Sequence, residues 1–221
     1  MFVVVTFIIA FLLGVPIAHY TAYFINNSED CIKRVDFGFI KIRTVLISFI
    51  NGLLWLVIYI VEDFSYLSVI YMVASSILLA IAVVDFAVFE IPFAFNVALG
   101  VLGAVAMVLD YHHFWSYLIG ACLVSGIFLL TALVTKGNGM GGGDVKLMVS
   151  VGLLLGWKKV LLVMLLGCLI GIAVHGMAMM IFKKKHMLPF GPYLSMAAFI
   201  TMLYGDAIVR WYIDTFFSFY Y

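Results

Sequence analysis

The chain has 221 residues, of which 67% are hydrophobic and only 10% are charged. An average soluble domain is about half apolar and a quarter charged, so this composition excludes a soluble fold. The 12 Lys and Arg residues against 11 Asp and Glu residues give a net charge of +1. Such a balance provides no basic surface for a nucleic-acid backbone, and we expect no nucleic-acid partner.

Apolar runs separated by short polar breaks predict an all-α, polytopic membrane protein of about eight transmembrane helices. Each helix needs about 20 apolar residues to cross a hydrocarbon core of roughly 30 Å. The first run lacks a basic start and a small-residue cleavage site, so we expect it to stay as a helix. Residues 1–221 show no repeat and are predicted to form one membrane-embedded domain. The helices are predicted at about 2–25, 44–61, 65–84, 93–109, 114–134, 144–156, 159–182 and 191–213.

The distribution of Lys and Arg predicts the orientation in the membrane, because short cytoplasmic loops are enriched in these residues. With the N-terminus outside, nine of the 12 basic residues fall on the inner side. The outer side then holds Lys158, Lys159 and Arg210. We therefore expect a cytoplasmic (inner) membrane protein with both termini outside.

Two acidic residues lie against the ends of apolar runs. Asp85 directly follows the run 77–84, and Asp144 follows three glycines and precedes another apolar run. Two carboxyl groups that meet in a partly dehydrated site share one proton, and such a pair can hydrolyse a peptide bond. Taken singly, each aspartate is also compatible with helix capping or with simple exposure to water.

The glycine-rich stretch before Asp144 allows more than one interpretation. Gly137, Gly139 and Gly142 spell GxGxxG, but a membrane helix precedes them where a dinucleotide-binding loop needs a strand. Glycines leave room for an extended peptide to lie beside Asp144. A flexible turn is the alternative interpretation of the same residues.

Three segments resemble one known family. The sequence GMGGGDVKL at 139–147, followed by GLLLGW at 152–157, resembles the GMGxGDxKL and GxxxGW signature of type IV prepilin peptidases. This family comprises GxGD intramembrane aspartyl proteases. Asp85 with the following Ile-Pro pair is similar to the segment that carries the family's first catalytic aspartate, and PFGPYL at 189–194 resembles its PFGPFL segment.

The resemblance implies an endopeptidase that cuts a short basic leader from type IV prepilins or pseudopilins at the cytoplasmic membrane face. Asp85 and Asp144 would be the catalytic pair, and the third predicted helix should pack against the sixth. We expect Lys146, two residues after Asp144, to point to another side of the helix. No metal or cofactor is implied, the lipid bilayer is the expected surrounding, and the sequence gives no oligomeric state. The expected substrate-binding residues are Gly141, Gly142, Gly143, Lys146, Pro189, Gly191 and Pro192.

Many bacterial members of this family also methylate the new N-terminus and carry a long first cytoplasmic loop with two CxxC pairs that resemble a zinc site. The corresponding segment here, 26–43, is a shortened cytoplasmic loop of 18 residues with one cysteine, Cys31. One thiolate cannot supply the four ligands of such a site. We therefore hypothesise peptidase activity without N-methyltransferase activity.

Two other functions stay open at the level of sequence. A transporter or channel could use Asp85 and Asp144 as proton or cation sites, with the glycine run as a break in a helix. An inactive scaffold of a pilus or secretion machine could keep the fold without turnover. The length of a co-expressed prepilin separates a protease from both, because only a protease shortens it.

Overall fold

The computed structural model describes residues 2–27, 37–62, 64–137, 140–182 and 189–217. These segments are helical and confirm the predicted all-α membrane fold. Six helices are long and apolar enough to cross a membrane, and the fourth is a shorter apolar helix. The helices are α1 (Phe2–Asn27), α2 (Phe37–Glu62), α3 (Tyr66–Val88), α4 (Phe93–Leu109), α5 (Phe114–Val134), α6 (Gly142–Phe182) and α7 (Gly191–Phe217), with a 3-10 turn at Tyr111–His113.

Helix α6 changes direction at Gly156, whose φ of 78° and ψ of 173° are not helical. Beyond this point, Lys159 Nζ pairs with Asp206 Oδ2 in the second half of α7 at 2.7 Å. Further along, Gly171 packs against Phe190, just before α7 begins. The second leg of α6 therefore runs antiparallel to α7, back toward the end of the bundle where α7 starts.

The two legs of α6 correspond to the predicted sixth and seventh helices, which the structure joins into one element. The described residues thus form seven helices, and the two legs of α6 account for two of the about eight that the sequence predicts. The apolar part of α6, Gly142–Val174, has 33 residues. As a straight helix it would be about 50 Å long, which exceeds a hydrocarbon core of about 30 Å.

Two predicted boundaries also differ from the structure. Helix α2 begins at Phe37, so the predicted loop 26–43 ends earlier than expected. Helix α3 continues to Val88, which places Asp85 in its last turn and not after its end. In both places an apolar window marks the membrane-buried part of a helix, and the backbone hydrogen bonds continue for several residues beyond it.

Helices α4 and α7 separate α3 from α6. Each of the two packs against both α3 and α6, whereas in the described residues no Cα atom of α3 lies within 8 Å of α6. The same holds between α4 and α7. The expectation that the third helix packs directly on the sixth is therefore wrong. The four helices form a ring whose buried core includes Ile81, Leu99, Met148 and Ala198.

Helices α1 and α2 pack beside this ring through a buried polar network. Asn51 donates from Nδ2 to the Ala10 carbonyl at 2.8 Å and accepts at Oδ1 from Ser76 Oγ at 2.8 Å. Trp55 Nε1 donates to the same Ser76 hydroxyl at 2.9 Å. Hydrogen bonds of this kind hold helices together where apolar burial gives no drive for association.

Candidate active site

Asp85 is held by the first residue of α7. Its side chain is 5% exposed, and its Oδ2 accepts a hydrogen bond from the Gly191 N–H at 2.9 Å. The first N–H groups of a helix have no acceptor within the helix, so Gly191 is free to donate. A Cβ atom at Gly191 would lie 2.8 Å from Asp85 Oδ2. Glycine is therefore required for this close approach.

Asp144 lies at the start of α6, in its first turn. Its side chain is 8% exposed, and its backbone N–H donates to the Gly141 carbonyl at 3.2 Å. The positive end of the helix dipole favours a carboxylate at this position. The two acids predicted from the sequence line one cavity, although no Cα atoms of their helices lie within 8 Å of each other in the described residues.

Both aspartates line one cavity of about 490 Å³ at the end of the ring where α4, α6 and α7 begin. Five segments supply its wall: the end of α1, the last turn of α3, the link between α3 and α4, the glycine run, and the first turn of α6. The lining residues are Phe24, Asp85, Phe89, Glu90, Ile91, Pro92, Phe93, Gly141, Gly142, Gly143, Asp144 and Lys146. The volume accommodates a short stretch of extended peptide and water.

Gly141, Gly142 and Gly143, which the sequence predicts as substrate-binding residues, all line the cavity. Gly143 lies so close to the α3–α4 link that a Cβ atom there would be 3.1 Å from Ile91 Cβ. Gly139 lies outside the described residues. The glycine run therefore forms an open wall of backbone beside Asp144.

The predicted direction of Lys146 is wrong. Lys146 lines the same cavity as Asp144, and its Nζ lies 5.3 Å from the centroid of the Phe93 ring. The long Lys146 side chain folds over Phe93, the first residue of α4. Its place two residues after Asp144 on an ideal helix does not predict this direction, because the flexible side chain bends toward the ring.

The three residues predicted near the start of α7 have different positions. Gly191 contacts Asp85 directly. Pro189 and Pro192 flank Gly191, and neither is among the described residues that line the cavity. Proline has no backbone N–H, and the first residues of a helix need none, so both prolines fit at the start of α7.

The sequence analysis missed Phe24 and Phe89 as parts of the cavity. Phe24 is an ordinary aromatic residue in the first apolar run, and no sequence signal marks it. Phe89 ends α3 with a left-handed backbone, φ 56° and ψ 29°, and donates its N–H to the Asp85 carbonyl at 2.9 Å. A non-glycine residue in this region is uncommon, and here it turns the chain across the cavity mouth.

The arrangement suits acid–base chemistry by a carboxyl pair. One ionised carboxylate accepts a proton from water, and one protonated carboxyl donates to a carbonyl oxygen and later to the leaving amine. In the described part of the chain, no three His, Cys, Asp or Glu side chains come together as a metal site requires. Cys31 lies outside that part.

Comparison with known proteins identifies a matching family and relatives of part of this chain. The sequence model of the type IV leader peptidase family matches residues 72–176. Three relatives are each named prepilin leader peptidase/N-methyltransferase. They come from Aeromonas salmonicida (38% identical over 99 residues), Pseudomonas aeruginosa (41% over 91) and Bacillus subtilis (32% over 142). The resemblance inferred from the sequence is thereby confirmed over these residues.

These matches cover only part of each protein. The Aeromonas match spans 43% of this chain and 34% of the relative, and the Pseudomonas match spans 40% and 31%. The Bacillus match spans 62% of this chain and 56% of the relative. No solved structure matches the chain significantly. The matched family segment includes both aspartates and ends before Pro189.

Proposed function

We propose that this protein is an intramembrane aspartyl endopeptidase that removes the leader peptide from type IV prepilins or pseudopilins. One observation carries the proposal: Asp85 and Asp144, both buried, reach the wall of one cavity beside a strip of glycine backbone. The family model that matches the segment holding both is the type IV leader peptidase family, and relatives of this chain are named prepilin leader peptidase/N-methyltransferase.

The geometry supports a mechanism in which the two carboxyl groups share one proton. The ionised partner removes a proton from water as the water attacks the scissile carbonyl, and the protonated partner stabilises the developing charge on oxygen. The protonated partner then gives its proton to the leaving amine as the C–N bond breaks. The proton taken from water stays on the other carboxyl, so the pair again holds one proton. The Gly191 N–H fixes the Asp85 carboxyl during these steps.

The glycine wall supports the binding of an unwound substrate. A peptide bond inside a helix hides its carbonyl from an attacking water, so the segment to be cut must be extended locally. Gly141, Gly142 and Gly143 offer backbone without side chains along the cavity. Lys146 lies at the same wall and can meet an acidic group or a carbonyl of the bound strand.

The distribution of basic residues supports an active site at the cytoplasmic face of the inner membrane. Lys136 and Lys146 lie at the cavity end of the bundle, while Lys159 pairs with Asp206 toward the opposite end. Under the rule that basic residues are enriched inside, the cavity faces the cytoplasm and both termini lie outside. We further propose cleavage without methyl transfer, because the loop before α2 contains one cysteine.

The proposal is tested by co-expressing the protein with candidate prepilins of the same genome and reading the pilin by intact mass. The wild-type protein should remove the leader, and Asp85→Asn and Asp144→Asn should each abolish cleavage. Asp214→Asn, at an exposed position in the last turns of α7, is the matched control and should cleave normally. A methyl group added by this protein would contradict the second half of the proposal.

Cleavage that survives either active-site substitution would refute the carboxyl pair. A full-length prepilin in the presence of the wild-type protein would favour a transporter or a scaffold. Gel filtration of each variant in detergent verifies that the loss of cleavage is not a loss of folding.

A further inference from the structure

In the ring formed by α3, α4, α6 and α7, the two aspartates come from helices that face each other across one diagonal. Asp85 belongs to α3 and Asp144 to α6, which do not contact each other in the described residues. Helices α4 and α7 form the other diagonal and contact both members of the first. Side chains of α4 and α7 that point into the ring therefore lie beneath the aspartates.

Asn96 of α4 is such a side chain. It is 3% exposed, and neither its Nδ2 nor its Oδ1 has a hydrogen-bond partner among the described residues. It lies four residues beyond Pro92, which lines the cavity, and therefore about 6 Å deeper along the same helix face. Its backbone carbonyl is occupied by Ser150 Oγ of α6 at 2.8 Å, which fixes α4 against α6.

Ser195 is the corresponding residue of α7, the helix that lies across the ring from α4. It is 4% exposed, and its hydroxyl has no partner among the described residues. It lies four residues beyond Gly191, the residue that binds Asp85. Buried serines in membrane helices usually donate to their own backbone, as Ser75 does to the Met72 carbonyl at 2.7 Å. Ser195 does not, so its hydroxyl is available to another group.

The two polar side chains share their layer with apolar neighbours. Ile81 lies one turn from Asp85 on α3, and Met148 lies one turn from Asp144 on α6; both are fully buried. Neither neighbour can satisfy an amide or a hydroxyl. A buried polar group without a partner is costly, and the cost is larger in an apolar surrounding.

We propose that Asn96 and Ser195 form a water-binding floor beneath Asp85 and Asp144, and that this floor positions the water used in hydrolysis. The inference rests on the proposed peptidase function. An Asn amide offers two donors and an acceptor, and a Ser hydroxyl offers a donor and acceptors. Buried water typically makes about three hydrogen bonds, which these two groups and a carboxyl above them supply. Asn96 and Ser195 are positioning residues in this scheme.

Kinetics of the purified full chain on a prepilin test the floor. Asn96→Leu and Ser195→Ala should each lower kcat by about 10- to 100-fold with KM within about twofold, because misplacement of a reacting group costs rate more than binding. Ser195→Thr keeps the hydroxyl and should restore most of the rate. The thermal unfolding midpoint of each variant, measured in detergent, verifies that a loss of rate is not a loss of folding.

The matched controls are Thr201→Val and Ser48→Ala, which remove two other buried hydroxyls without partners among the described residues. Thr201 lies about 15 Å along α7 from Gly191, and Ser48 lies on α2. Both variants should keep the wild-type kcat. Equal losses in the controls, or kcat within twofold of wild type in both floor variants, would overturn the proposal. If Asn96→Leu does not fold, Asn96→Ser and Ser195→Ala decide the question.

Radiolytic labelling measures the water independently of activity. Hydroxyl radicals generated from bound water should oxidise Met148, one turn below Asp144, faster than Met72 on α3, although Met72 is slightly more exposed. Asn96→Leu and Ser195→Ala should slow Met148 oxidation. Oxidation of Met148 no faster than that of Met72 would refute the floor, even if the protein cleaves prepilin. A hydrated floor in a protein that cuts no prepilin would refute the proposed function alone.

Discussion

At the scale of residues, Asp85 depends on a glycine that is 106 positions away in the sequence. Gly191→Ala would place a Cβ atom 2.8 Å from Asp85 Oδ2 and displace the carboxyl from the N–H that binds it. We expect kcat to fall by about 100-fold, the loss typical of a reacting group misplaced by about 1 Å.

The matched control for this substitution is Gly126→Ala, because no atom lies within 4 Å of a Cβ atom at Gly126. It should keep full activity in the same cleavage assay. Wild-type kcat in Gly191→Ala would show that the contact with α7 does not position Asp85.

The shared proton predicts the pH dependence of cleavage. Only the pair with one ionised and one protonated carboxyl is active, so kcat/KM should fall on both sides of an optimum. The profile is measured with purified protein within the pH range where its thermal unfolding midpoint is constant. If kcat/KM only rises or only falls with pH across that range, the result would contradict a mechanism that uses both carboxyl groups.

The acids and glycines that line the cavity could be selected from the sequence, but the residues that support them could not. Asp85, Asp144 and the glycines 141–143 could be selected because acids and glycine runs are rare in apolar chains. Phe24 could not, because a cavity-lining phenylalanine in an apolar run looks like one that faces lipid. Asn96 follows the Ile-Pro pair in the segment that resembles the family's, but no pattern assigns it a role, and Ser195 carries no motif. Burial without a hydrogen-bond partner among the described residues distinguishes both.

At the scale of elements, Gly156 determines how α6 occupies the bundle. Its φ of 78° and ψ of 173° fall in a region that only glycine adopts readily. Gly156→Ala should cost about 1–3 kcal/mol of folding free energy from backbone strain. Its Cβ atom would also lie 2.7 Å from Ser116 Oγ, which must move. A fall of several degrees in the thermal unfolding midpoint in detergent is the expected result.

Gly171→Ala is the control for this prediction, since the nearest atom to its Cβ would be at an ordinary 3.6 Å. The control should unfold at or above the wild-type temperature, because alanine favours a helix. An unchanged midpoint in Gly156→Ala would mean that the bend relaxes without cost.

Most helix boundaries follow from composition, because the hydrocarbon core requires long apolar segments and the loops must be polar. The arrangement of the helices does not follow in the same way. The resemblance implies that the two aspartates meet, and direct packing of their helices is the simplest arrangement that would allow it. The structure instead inserts α4 and α7 between α3 and α6, and the cavity lined by both aspartates lies at one end of this ring.

At the scale of the whole molecule, the helix ends lie on two opposite sides of the bundle. Helices α1, α3 and α5 end on the cavity side, where α4, α6 and α7 begin. Lys136 follows α5 on that side, and His112 precedes α5 on the opposite side; both side chains are exposed. These two residues therefore report on opposite faces of the membrane.

The proposed orientation predicts which of the two is accessible from outside the cell. In a variant with Cys31, Cys122 and Cys168 replaced by serine, His112→Cys should react with a membrane-impermeant maleimide in intact cells. Lys136→Cys should react only after the membrane is opened, because the excess of basic residues keeps the cavity end in the cytoplasm. Cleavage of prepilin by both variants verifies the native fold. The reverse labelling pattern would place the aspartates at the outer face, where a cytoplasmic leader could not reach them.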